Sequence, residues 1–78
     1  MQTREKGVNM FFIKRHMEDS DGDHMTGYLT NNGQYGTCKE AYGYDSYEEA
    51  HEDMLVEEGY FHQEFPDDIN DFSVVESN

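Results

Sequence analysis

Only thirteen of the 78 side chains are Leu, Ile, Val or Phe. That is about a sixth of the chain, a level at which high net charge favours disorder over a packed core. A fold that closes must therefore do so around aromatic and sulfur-bearing groups, and the chain holds six Tyr, five Phe and five Met. A chain of this length buries about 60% of its unfolded surface, so it has material for one small, marginal domain.

The formal net charge of −13 is unevenly spread. Residues 1–39 carry five basic and five acidic side chains, whereas residues 40–78 carry thirteen acidic side chains and no Lys or Arg. Binding to phosphates needs clusters of Lys and Arg, so the asymmetry argues against direct nucleic-acid binding. It argues equally against anionic membranes and in favour of a basic partner surface. The single cysteine, Cys38, excludes an internal disulfide and suits a reducing compartment. No apolar run approaches a membrane span or a signal-peptide core, so a cytoplasmic protein is expected. Residues 1–9, "MQTREKGVN", read as a flexible N-terminal arm before a single acidic domain over 10–78, with Met10 an alternative start.

Periodicity and turn chemistry predict an α+β fold, a small antiparallel sheet in the order β-β-β-α-β with one helix packed on a face. Residues 8–17, "VNMFFIKRHM", form the first strand, with Phe12 and Lys14 on one face and Phe11, Ile13 and Arg15 on the other. Asp21-Gly22 and Asn32-Gly33 mark turns that need positive φ. Between and after them lie a second strand, 25–30, and a third, 34–44. Asp45 or Ser46 then caps a helix, Ser46-x-x-Glu49 having the capping-box spacing. Tyr47, Ala50, Met54 and Leu55 make its apolar stripe, and Gly59 is placed to stop it. Residues 60–71 are helix or loop, Pro66 suggesting a turn, and 72–76 form the last strand.

Catalytic and metal motifs fail on inspection. Asp19, Asp21 and Asp23 match the first positions of an EF-hand loop, but its glycine position holds His24 and its closing glutamate position Thr30. His51-Glu52 begins an H-E-x-x-H pattern whose second histidine would be residue 55, which is Leu55. His16, His24, His51, His62 and Cys38 show no ligand spacing, so no metal or cofactor is expected. Cys38 reads as a small buried hydrophobe. Gly-Tyr recurs at 27, 43 and 59, but the intervening segments differ, so no repeat is read. A chain this short has little room for a substrate cleft, and enzymatic activity is not expected.

What remains is the helix. Its outer face carries Glu48, Glu49, Glu52, Asp53, Glu57 and Glu58 with no compensating cation. Like charges at i,i+4 cost a helix a few tenths of a kcal/mol per pair. Glu48 and Glu52 fall in one such row, and Glu49, Asp53 and Glu57 in the next, spaced roughly 5–6 Å at Cβ, close to the phosphate spacing of a nucleic-acid strand. Glu64, Asp67, Asp68 and Asp71 would continue the ribbon, with Tyr44, Tyr60 and Phe61 as apolar anchors at its rim.

In size, acidity and strand–helix layout, chiefly over residues 45–71, the chain resembles the small inhibitor proteins of phages and mobile elements. These include anti-CRISPR proteins, anti-restriction proteins and uracil-DNA glycosylase inhibitors, several of which act as DNA mimics. The resemblance is one of character and rests on no shared motif. It implies a non-enzymatic inhibitor whose partner is a basic nucleic-acid-binding protein: a Cas effector, a restriction enzyme or a DNA-repair enzyme. A regulatory or adaptor module, antitoxin-like, that binds a basic protein without mimicry is the alternative. A solvated structural protein with no partner is the third.

Overall fold

The computed structural model describes residues 10–77; the expected arm over 1–9 lies outside them. Strands β1 (Met10–Glu18), β2 (His24–Leu29) and β3 (Tyr35–Gly36) are followed by a 3-10 turn (Cys38–Glu40), helix α1 (Tyr47–Glu64) and strand β4 (Ile69–Ser77). The four strands form one antiparallel sheet in the order β3-β2-β1-β4, with α1 packed over β1 and β4. This is the expected α+β fold.

Turn chemistry acts where the sequence places it. Gly22 and Gly33 adopt φ values of 90° and 87°, in the left-handed region that costs a side chain energy and glycine nothing. At the first turn, Asp19 Oδ1 accepts the backbone N–H groups of Asp21 and Asp23 at 2.9 and 3.0 Å. That carboxylate is a turn builder.

The third strand departs from expectation. Pairing stops after Gly36, because Thr37 donates both its N–H and its hydroxyl to Glu40 Oε1, at 2.9 and 3.1 Å. The same carboxylate holds the chain in a local turn through Cys38–Glu40. Cys38 is therefore exposed rather than a buried hydrophobe. The chain then runs back along the sheet through single bridges, Ala41 to Thr30 and Tyr44 to Phe11.

Helix α1 also differs. Ser46 caps it, its hydroxyl accepting Glu49 N–H at 3.2 Å. Gly59 does not end it; the helix continues to Glu64, and Phe65 closes it. A glycine inside a helix costs about 1 kcal/mol. Phe61, one turn from the end, offsets that by packing edge-on to Tyr35 and against Phe72 at centroid separations of 5.9 and 5.8 Å. The last strand starts at Ile69, three residues earlier than the apolar run suggested, since β1 offers partners as far as Glu18.

The core is small: Ile13, Leu29, Tyr44, Ala50 and Met54, flanked by Phe11, Tyr35, Phe72 and Val74. Of the expected stripe, Ala50 and Met54 are buried, but Tyr47 and Leu55 are each half exposed. The expected division of β1 holds: Ile13 and Arg15 face the helix and are buried, and Phe12 and Lys14 lie on the opposite face. Arg15 is the unusual core member. Its guanidinium lies 4.1 Å from the Phe61 ring centroid and 5.3 Å from that of Tyr35, and Nε donates to Asn70 Oδ1 at 2.9 Å. Gly27 sits opposite Arg15, where a Cβ would come within 3.2 Å of Tyr35 Cβ. The missing side chain lets the Tyr35 ring lie over the guanidinium. Burial lowers the Arg15 pKa, opposed by the Tyr35, Asp68 and Glu57 groups around it.

Candidate functional site

One helix over a four-stranded sheet cannot cover every strand. Because α1 lies over β1 and β4, its other flank overhangs the β2 end of the sheet and leaves an open cleft of about 660 Å³. So short a chain was not expected to form one. The helix wall contributes Glu49, Glu52, Asp53 and Glu57, and Asp45 joins them from the segment leading into the helix. Leu29, Tyr42 and Tyr44 supply apolar and aromatic surface opposite. Among the described residues, no Lys or Arg lines the cleft.

Two of these carboxylates are held in place. Tyr44 donates its hydroxyl to Asp53 Oδ2 at 2.8 Å, and Tyr35 donates to Glu57 Oε1 at 2.7 Å. Both tyrosines come from the sheet side, so the bonds tie helix to sheet while fixing the direction of each carboxylate. Burial first, and the carboxylate acceptor second, push both phenols well above their ordinary range. They stay protonated donors through neutral and moderately alkaline conditions. Glu49 and Glu52 accept no side-chain hydrogen bond among the described residues, and no carboxylate of α1 is ion-paired there to Lys or Arg.

The expected contact residues therefore divide. Glu49, Glu52, Asp53 and Glu57 converge on the cleft. Glu48 and Glu58 do not, since each lies about 140° round the helix axis from Asp53 at 3.6 residues per turn. Asp67 and Asp68 sit in the turn after the helix, away from the cleft. Tyr44, expected as an exposed rim anchor, is instead a core residue at 9% exposure. Tyr60 is exposed at 55% but outside the cleft, and Phe61 belongs to the Arg15 sandwich. Asp45, Tyr35 and Tyr42 were not anticipated. Tyr42 is 45% exposed and meets Tyr44 edge-on at 4.8 Å, leaving a ring face available beside the acids.

The tyrosine pairs have a pH signature. A phenol whose folded pKa lies above the unfolded value of about 10 contributes stability that is fully present below that pH. The contribution is lost as pH rises through the folded value. A Tyr35→Phe/Tyr44→Phe double variant should be less stable at pH 7 by about 1.5–3 kcal/mol for each bond lost, the scale of hydrogen bonds to charged acceptors. It should also lose less further stability above about pH 10 than the parent, read by urea denaturation at a series of pH values. Coincident stability curves for the two proteins would show that these bonds contribute nothing.

Fold and cleft together define a small α+β domain with an acid-walled groove. Searches of protein-family models, curated proteins and solved structures return no match to the chain. No helix among the described residues is long and apolar enough to cross a membrane.

Proposed function

We propose that the protein is a non-enzymatic inhibitor that occupies the nucleic-acid-binding surface of a host defence protein. Its most specific form is an anti-CRISPR protein acting on a Cas effector in the host cytoplasm. One observation carries this reading: five carboxylates line a single cleft, and none of them is ion-paired to a Lys or Arg among the described residues. Unpaired charge of this density attracts cations, and opposed potentials speed and orient association. Lys and Arg that track a phosphate backbone are such cations. Glu49 and Glu52 would meet them directly, Asp53 and Glu57 would present fixed acceptors, and Tyr42 offers a ring face for a cation–π contact. Glu48 and Glu58 would extend the contact along the outer helix.

The concavity of the site favours a second reading. A cleft receives a protruding basic side chain more readily than it imitates a convex duplex, as suits an adaptor or antitoxin-like module that grips a basic segment. Competition separates the two. Guide-loaded Cas effectors and restriction endonucleases are incubated with equimolar protein, and target-DNA binding is measured. Inhibition should be stoichiometric and relieved by excess DNA or by salt. Binding of a panel member that leaves its DNA affinity unchanged would favour the adaptor. No effect on any member would remove the inhibitor reading for these targets.

A further inference from the structure

We infer a transition-metal site on the helix-free face of the sheet, formed by His16, Glu18 and His24 and suited to a divalent ion of the zinc class. Strand period 2 places His16 and Glu18 on one face of β1, two residues apart. The hairpin register sets His24 directly opposite Glu18 and Thr26 opposite His16. The chain thus returns through the Asp19–Asp23 turn to bring a second imidazole beside the same carboxylate.

The geometry is close to that of a coordination shell. His16 Nε2 lies 3.3 Å and His24 Nδ1 3.7 Å from Glu18 Oε2, and one donor atom from each residue falls within 4.8 Å of the others. Ligands about 2.0–2.1 Å from a tetrahedral ion stand roughly 3.3 Å from one another. The His24 side chain is 63% exposed and so has room to turn toward the other two donors. His16 is already oriented: Nδ1 is 3.0 Å from Thr26 Oγ1, which turns Nε2 toward Glu18. Such an outer partner fixes the tautomer and direction of a ligating imidazole. Asp71, opposite His16 on β4, adds negative charge on the far side. Lys14 is the nearest strand cation on this face, roughly 6–7 Å further along β1.

Two imidazoles and one carboxylate select zinc, cobalt, nickel or copper over magnesium and calcium, which prefer all-oxygen shells. Three protein ligands leave a fourth position for water. The bound ion would join β1 to β2 across their shared turn, a staple of the kind small domains with thin cores use. The site lies on the opposite face of the sheet from the acidic cleft and does not depend on its function.

The test is a zinc titration of the full-length, chelator-treated protein by calorimetry in excess Mg2+, which occupies general acidic surface. One Zn2+ per chain should bind despite the Mg2+ and raise the unfolding temperature in proportion to ligand excess. Co2+ in its place should give visible d–d absorption. His24→Ala and His16→Ala should each weaken Zn2+ binding by at least about tenfold and abolish the Co2+ spectrum. The metal-free unfolding temperature of His24→Ala should stay at the parent value, because that side chain is exposed. His51→Ala and His62→Ala should bind as the parent does. Zinc displaced by Mg2+, or retained at full affinity in His24→Ala, would show an adventitious ion only and overturn the site.

Discussion

An Arg15→Ala variant should unfold at a temperature on the order of 15 °C below the parent, the largest stability loss expected from a charged residue here. Arg15 is 9% exposed, lies against the rings of Phe61 and Tyr35, and donates to Asn70, whose own Nδ2 is buried without a partner among the described residues. Truncation removes two desolvated cation–π contacts, of about 1–2 kcal/mol together. It also strips the partner from Asn70 Oδ1, at about 1–3 kcal/mol, and opens a void beside the thin core. A total near 3 kcal/mol is a large part of the stability of so small a domain. Lysine should not rescue the loss, since an ammonium has neither the plane that stacks nor the fork that reaches Asn70. Arg15→Met should recover the packing part, and adding Asn70→Leu should recover most of the rest, because removing both partners leaves no orphaned polar group. Thermal and urea unfolding of the four variants decide the matter. If Arg15→Ala melts within a degree or two of the parent, the guanidinium is not part of the core.

A Glu49→Lys/Glu52→Lys variant should lose at least about a hundredfold in affinity for the basic partner while keeping the parent unfolding temperature. Like charges placed face to face across an interface cost several kcal/mol, and about 1.4 kcal/mol is tenfold in binding. The choice of residues follows from the tyrosine bonds. Reversing Asp53 or Glu57 would also remove the acceptor of Tyr44 or Tyr35 and so disturb the fold. Glu49 and Glu52 have no such partner among the described residues, and their reversal reads the cleft alone. Binding by calorimetry at two ionic strengths should show a steep salt dependence in the parent and little residual binding in the variant. Full affinity in a folded variant would place the contact elsewhere, with Glu48 and Glu58 on the other flank the next surface to reverse.

Much of this domain is legible in the chain because the governing forces are local. The positive φ of Gly22 and Gly33, the Ser46 cap and the inward set of Ile13 and Arg15 follow from turn chemistry and strand period. The continuation of α1 through Gly59 was not legible, since it depends on Phe61 reaching β-strand residues far away in sequence. The short third strand escaped for a different reason. Thr37-x-x-Glu40 has capping spacing, but a run of alternating residues masked it. The His16–Glu18–His24 group had a signal in principle. Once Asp21-Gly22 fixes the hairpin, period 2 alone sets His24 across from Glu18.

By itself, the sequence determined the order of elements, the two glycine turns and the placing of all excess acid in the second half of the chain. Each follows from nearest-neighbour sterics, capping or simple composition. The tertiary structure alone decided which carboxylates meet. Seating α1 over β1 and β4 turned Glu49, Glu52, Asp53 and Glu57 toward a cleft, buried Tyr44 and left Glu48 and Glu58 on the far flank. A helix can present any of several faces, and the one it buries is fixed by long-range packing against a sheet it meets only after the chain has folded.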